Sequence, residues 1–157
     1  MSELHVLGLG SPFDDDQLGW DVVKLLQQCP KLSRFTPSQL HLEYCDRPGM
    51  HLLELMRPAK TVFLIDALKT GAAIGTLHCF QNDEIESIGD TLSTHALGIG
   101  EVMKVGGVLQ LLPQQIVLYG IEIGDIHCQF TLSEPIKGAI KQLAVRIEND
   151  ILSLKEK

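Results

Sequence analysis

Five segments of the chain have the apolar patterning of β-strands. The first and third are continuous apolar runs, which is typical of strands buried on both faces of a sheet. The fourth is short and predicts a strand at a sheet edge. The five predicted strands are residues 4–9, 40–45, 61–65, 76–80 and 115–123.

Between these strands, apolar residues recur at helical spacing. The predicted helices are residues 17–28, a short helix at 50–56 that is closed by Pro58, residues 96–109, and a last helix that starts near Ser133. Residues 81–94 are mostly polar and predict a loop. The order of the elements is strand–helix–strand–helix–strand–strand–helix–strand–helix.

This alternation predicts an α/β fold, built as a three-layer domain with a mainly parallel twisted sheet of about five strands and helices on both faces. A chain of 157 residues without internal repeats or linkers predicts a single domain over residues 1–157. In such folds ligands bind beyond the carboxyl ends of the strands, at the point where the strand order reverses.

Charge and hydropathy exclude some classes of partner. The formal net charge is −7 and no lysine or arginine cluster occurs, which argues against a nucleic-acid surface. No apolar run approaches 18 residues, so we expect no membrane span. The first residues lack the pattern of a signal peptide, and we expect a cytoplasmic location.

The cysteines are widely scattered and form no Cys-x-x-Cys motif. This arrangement predicts reduced thiols that behave as small buried hydrophobic residues, rather than a disulfide framework or a zinc site. The four are Cys29, Cys45, Cys79 and Cys128.

Three consecutive aspartates, Asp14 to Asp16, follow the first predicted strand and its Gly8-x-Gly10 turn. One or two acids suffice to cap the helix that follows. Three in a row repel one another, which favours a cation or a donor group nearby. A phosphate site is disfavoured because the acids occupy the place of the phosphate and no Gly-Lys-Ser/Thr follows.

Two further polar segments are predicted near the same edge of the sheet. Asp66 ends the third strand, and His95 of Ser93-Thr94-His95 precedes a helix. Two carboxylates and an imidazole suit a borderline divalent metal, with Asp16 as the second acid. The alternative is structural, with Asp66 bonding backbone N–H groups and His95 capping its helix. Glu122 is interpreted as a salt-bridge or pocket residue.

The remaining histidines have no motif around them and are interpreted as incidental. They are His5, His41, His51, His78 and His127.

Together, in order and spacing, these segments resemble the hydrogenase maturation endopeptidases over nearly the whole chain. The motifs that carry the resemblance are Gly8-Leu9-Gly10-Ser11-Pro12, Asp15-Asp16-Gln17-Leu18-Gly19, Pro48-Gly49-Met50-His51-Leu52-Leu53, Asp66-Ala67, Gly75-Thr76, Ser93-Thr94-His95, Gly120-Ile121-Glu122 and Leu132-Ser133-Glu134-Pro135-Ile136.

The resemblance implies a phosphorylase/hydrolase-like fold and an aspartate- and metal-dependent endopeptidase. Such proteins remove a C-terminal extension from the precursor of a nickel-iron hydrogenase large subunit after nickel insertion. The nickel is carried by the substrate, and the residues that contact it in the family correspond to Asp16, Asp66 and His95. These three are therefore both the predicted catalytic residues and the predicted metal ligands, with no other cofactor.

Two features depart from the family pattern. Ser11 replaces the usual asparagine, and the acidic loop is one residue shorter than the common pattern. Counting back from Gly19 places the first ligand at Asp16, whereas counting forward from Gly10 reaches Gln17, a poorer ligand. We choose Asp16 because the helix register fixes the side chain better than the loop does, with Asp15 as the reserve.

Two alternative functions remain at this level. A peptidyl-tRNA hydrolase has a similar fold and opening motif, but its basic surface is at odds with the charge of −7. A metal-dependent checkpoint or binding protein that has lost cleavage fits the shortened acidic loop. No Ser/His/Asp, Cys/His or His-Glu-x-x-His pattern identifies a general base.

Overall fold

The computed structural model describes residues 2–12, 17–57, 59–88, 98–124 and 134–156. Its strands are β1 (Ser2–Gly10), β2 (Leu40–Asp46), β3 (Ala59–Leu68), β4 (Leu77–Gln81) and β5 (Gln115–Glu122). Its α-helices are α1 (Leu18–Gln27), α2 (Leu52–Met56), α3 (Asp83–Ile88), α4 (Ile99–Val108) and α5 (Glu134–Lys155). A 3-10 helix, Gly49–His51, leads directly into α2.

The five strands form one sheet in the order β2-β1-β3-β5-β4. The pairings of β1 with β2, of β1 with β3 and of β3 with β5 are parallel, and only the edge strand β4 runs antiparallel to its neighbour. The predicted fold class is therefore confirmed, including the short edge strand. Within the described ranges no helix is both long and apolar enough to cross a membrane.

Alternating side chains of the central strands feed two separate apolar layers. On β3, Phe63, Ile65 and Ala67 join the layer under α1 and α5, whereas Val62 and Leu64 join the layer under α2, α3 and α4. Both faces of the central strands are covered by helices, which explains why the first and third strands are continuous apolar runs.

The prediction of a loop over residues 81–94 is wrong for its first part, because α3 lies at Asp83–Ile88. Ile85 is only 1% exposed and packs in the layer that also contains α4. Ile85 lies among acidic residues, which leaves a weak periodic signal, so tertiary packing decides this helix. Residues 89–97 lie outside the described part of the chain.

Two glycines let α1 approach the sheet closely. A Cβ atom added to Gly19 would overlap the carbonyl oxygen of Leu9 and would lie 2.7 Å from that of Ile65. A Cβ atom added to Gly8 would overlap the carbonyl oxygen of Gly19. The first turn of α1 therefore rests directly on the backbones of β1 and β3 near their carboxyl ends.

Candidate active site

The strand order reverses between β1 and β3. From β1 the chain moves outward to β2, and from β2 it returns across β1 to β3. Residues that follow β1 and β3 therefore border the crevice where parallel α/β sheets bind their ligands. Asp66 lies near the end of β3 on this edge, one residue beyond Ile65, which pairs with Gly8 of β1.

Of the three predicted site residues Asp16, Asp66 and His95, only Asp66 lies in the described part of the chain. Its side chain is 0% exposed, and its Oδ1 atom accepts the backbone N–H of Ala67 at 2.8 Å. By alternation along β3 it shares a face of the sheet with Leu64 and Leu68, the face covered by α4. A fully buried carboxylate at the strand-order reversal is an unusual placement, since buried acids are rare unless they are paired or functional.

The close approach of α1 places the first turn of this helix at the same edge of the sheet. Gly19 contacts the carbonyl oxygen of Ile65, the residue directly before Asp66. The predicted first ligand, Asp16, and its reserve, Asp15, precede Gly19 by three and four residues. Both lie outside the described residues.

The third predicted ligand, His95, also lies outside the described residues. The helix that follows it, α4, contributes Ile99, Val102 and Met103 to the apolar layer on the face that Asp66 shares. Among the residues that the structure describes, no three His, Cys, Asp or Glu side chains are grouped so that they could hold a metal ion. Asp66 is the one predicted metal ligand within the described residues.

Cys45 lies near this edge, and its thiol is unsuited to nucleophilic catalysis. Burial raises the pKa of the Cys45 thiol to about 11, with smaller contributions from the negative charges of Glu43, Asp66 and Asp46. Its Sγ atom points to the carbonyl oxygen of Gly8 at 3.9 Å. The thiol is therefore protonated at neutral pH, and Cys45 packs as a half-buried apolar side chain against the layer under α2, α3 and α4.

Glu122 is the centre of a polar cluster at the carboxyl end of β5. The carboxylate is 1% exposed, and its Oε2 atom accepts the backbone N–H groups of Thr70 at 2.7 Å and Gly71 at 3.1 Å. Its Oε1 atom accepts the Thr70 hydroxyl at 2.5 Å and the Nε2–H of His78 at 3.0 Å. Glu122 is thus a buried, hydrogen-bonded carboxylate, in line with its interpretation as a salt-bridge or pocket residue.

The interpretation of His78 as incidental is wrong, because its ring is bound to this buried carboxylate. The partner lies 44 residues away in the sequence, so no local motif points to the pair. The two residues come together because His78 pairs with Gly120 across β4 and β5, two residues before Glu122. That register becomes visible only after the strands are aligned.

A family model described as hydrogenase maturation protease matches residues 47–150, more than half of the sequence. The chain belongs to the hydrogenase maturation protease family. The resemblance first seen in short motifs is thereby confirmed, and the chain is grouped with peptidases rather than with peptidyl-tRNA hydrolases.

Relatives of this maturation protease include two hydrogenase expression/formation proteins. HoxM of Azotobacter vinelandii is 25% identical over 153 residues, which cover 94% of this chain and 71% of HoxM. HupM of Azotobacter chroococcum mcd 1 is 25% identical over 141 residues, which cover 87% of this chain and 65% of HupM. The chain thus spans roughly two thirds of the length of these relatives.

Among solved structures, the hydrogenase maturating endopeptidase HybD of E. coli shares the fold. The TM-score is 0.82 at 21% sequence identity, and the match covers 96% of this chain and 93% of HybD. At this level of identity the similarity concerns the fold, and it supports the sheet order and helix layers described above.

In the maturation protease, Glu122 makes stability depend on pH. Burial alone raises the pKa of this carboxyl, but the hydrogen bonds from Thr70, His78 and Gly71 together outweigh burial, so the pKa lies below its ordinary value of 4.5. A carboxyl whose pKa is lowered by folding stabilises the folded state above the unfolded-state pKa. That stabilisation is lost as the pH falls through the folded-state pKa.

We therefore expect the substitution Glu122→Gln to lower the free energy of unfolding at pH 7 by about 1.5–3 kcal/mol, because an amide NH₂ group then faces hydrogen-bond donors. The difference from the unsubstituted protein should shrink as the pH falls below about 4.5, since the wild-type carboxyl is then also neutralised. Urea unfolding at several pH values measures this. An equal difference at pH 7 and pH 3 would contradict the assigned charge state.

Proposed function

We propose that this protein is the endopeptidase that removes the C-terminal extension of a nickel-iron hydrogenase large-subunit precursor after nickel has been inserted. Membership in the maturation protease family supports the class of reaction. The observation that carries the proposal to a site is Asp66, a fully buried carboxylate at the strand-order reversal of an α/β sheet.

In this proposal the nickel belongs to the substrate, and Asp16, Asp66 and His95 contact it. Two carboxylates and an imidazole are suitable ligands for a borderline divalent ion and leave coordination positions for the precursor's own groups. An ion carried by the substrate can polarise the scissile carbonyl or orient the attacking water. Cleavage then depends on the presence of nickel in the precursor, because the protease alone lacks the ion.

Two contacts described above support the convergence of these residues. The first turn of α1 lies close to the backbone of Ile65, next to Asp66, and Asp16 is only three residues before Gly19 in the sequence. The helix α4, which follows His95, covers the face of the sheet that Asp66 shares. The large-subunit precursor is the proposed partner. The location that we propose is the cytoplasm, where scattered cysteines remain reduced.

We expect the substitutions Asp16→Asn and His95→Ala each to lower the rate of precursor processing by roughly 100-fold or more, because each removes one ligand of the substrate's nickel. The rate is measured with purified protein and nickel-loaded precursor, by the appearance of the shortened large subunit. His51→Ala and Asp46→Asn are matched controls, since both side chains are exposed on the described surface. Normal processing by either site variant would remove that residue from the site.

The same assay distinguishes Asp16 from its reserve. If Asp15 is the ligand, Asp15→Asn abolishes processing and Asp16→Asn leaves it near the unsubstituted rate. We expect the opposite result, because Asp16 is three residues before Gly19, whose position against the sheet is fixed by contact with Leu9 and Ile65.

A further inference from the structure

Glu122 holds the segment that connects β3 to β4 through both its main chain and its side chain. Its N–H donates to the carbonyl oxygen of Thr76, and its carbonyl oxygen accepts the N–H of Gly75, each at 2.9 Å. Its side chain binds the N–H groups of Thr70 and Gly71 and the Thr70 hydroxyl. The connection therefore wraps around this one buried residue.

This connection begins next to Asp66. In the sheet, Asp66 pairs with Gly120 and Leu68 pairs with Glu122, so Glu122 lies two residue pairs further toward the carboxyl edge, on the same face. The N–H of Ala67, which holds Oδ1 of Asp66, is three residues before Thr70. The Leu68 side chain fills the space over Gly120, where an added Cβ atom would overlap its Cδ1 atom.

His78 completes the cluster from the other side. It pairs with Gly120 across β4 and β5, so Asp66, Gly120 and His78 occupy one row across three strands. The glycine between them carries no side chain, and its place is taken by Leu68. The His78 ring and the Thr70 hydroxyl both donate to Oε1 of Glu122, so the carboxylate is held between β4 and the segment after β3.

We infer that Glu122 is a positioning residue for the peptidase reaction. It fixes the backbone of residues 67–71 and thereby the direction of the Asp66 carboxylate. The inference rests on the proposed function of Asp66 and assigns Glu122 no contact with the substrate. A small displacement of a reacting group lowers the chemical step more than it lowers binding.

The test measures kcat and KM for processing of nickel-loaded precursor, at a temperature at which every variant is folded by circular dichroism. Glu122→Gln is expected to lower kcat about 10-fold with KM changed by less than about 2-fold, because Asp66 is misdirected while the precursor still binds. Glu43→Gln is the matched control, since Glu43 also pairs with a histidine, His41 at 3.2 Å, but on the edge strand β2, where the side chains of His41 and Glu43 are 42% and 39% exposed. We expect kcat and KM of this control variant to equal those of the unsubstituted protein.

Two substitutions of Thr70 test whether its hydroxyl donor to Glu122 matters for kcat. Thr70→Val removes the hydroxyl donor and is expected to lower kcat about 3-fold, whereas Thr70→Ser keeps the donor and is expected to restore kcat. An unchanged kcat in folded Glu122→Gln, with only a lower melting temperature, would show that the cluster is merely structural and would overturn the inference. Absence of processing by the unsubstituted protein would refute the proposed function itself, and the role of Glu122 with it.

Discussion

The substitution Asp66→Asn is expected to abolish processing of the hydrogenase precursor, with a residual rate of roughly 1% or less, while the fold persists. Asparagine has the shape of aspartate, and its Oδ1 atom can still accept the N–H of Ala67. The substitution removes the negative charge that the proposed site offers to the nickel of the substrate. Because the hydrogen bond is retained, the free energy of unfolding should change by no more than about 1 kcal/mol.

The matched control is Asp46→Asn. Asp46 ends β2 on the same edge of the sheet, but its side chain is 49% exposed and pairs with Arg47 at 2.7 Å. An exposed ion pair of this kind contributes about 0–1 kcal/mol to stability. Processing by this variant is expected to equal that of the unsubstituted protein. A processing rate of Asp66→Asn near the control would show that the carboxylate has no part in the reaction.

Gly19→Ala is expected to cause a large loss of stability. The added carbon would overlap the Leu9 carbonyl oxygen and approach that of Ile65, and neither backbone group can rotate away as a side chain could. The first turn of α1 must therefore shift. We expect a loss of about 3 kcal/mol, which corresponds to a melting temperature lower by about 6–12 °C. Processing should fall as well, because the first turn of α1 lies against Ile65, directly before Asp66.

Gly138→Ala is the control with the opposite sign. Gly138 lies in α5, and no atom comes within 4 Å of the position that its Cβ atom would occupy. In such a place alanine stabilises a helix by about 0.5–1 kcal/mol relative to glycine. Differential scanning calorimetry of both variants measures the two shifts. A melting temperature of Gly19→Ala within about 2 °C of the unsubstituted protein would contradict the close packing of α1 on the sheet.

Most of the fold could be predicted because its central strands are buried on both faces. The apolar runs at residues 4–9 and 61–65 became β1 and β3, the two strands on either side of the reversal in strand order. The short strand at 76–80 corresponds to β4 on the edge. Continuous apolar runs between helical patterns leave few alternatives to a parallel sheet.

The helix α3 could not be predicted in the same way. Its first turn carries Asp83, Glu84 and Glu86, and the buried side chain that ties it to the core is Ile85. The extension of β3 to Leu68 was also missed, because the run 61–65 is interrupted by the polar residue Asp66. In both cases contacts with distant parts of the chain outweigh the local pattern.

The candidate site likewise has features that the local sequence predicts and features that depend on distant contacts. Asp66 could be predicted because a single acid at the end of a buried strand stands out in the sequence. The pairing of His78 with Glu122 could not, because it depends on the register of β4 against β5. The approach of Gly19 to Ile65 depends likewise on the packing of a helix across two strands, which no local motif encodes.

The most direct measurement is the mass of a hydrogenase large-subunit precursor after incubation with this protein, with and without inserted nickel. We expect loss of a C-terminal peptide from the nickel-loaded precursor alone, and no loss from either form when the protein carries Asp66→Asn. Equal cleavage of the two forms would contradict recognition of substrate-borne nickel. No cleavage of several authentic precursors would contradict the proposed peptidase function and would point to a binding role.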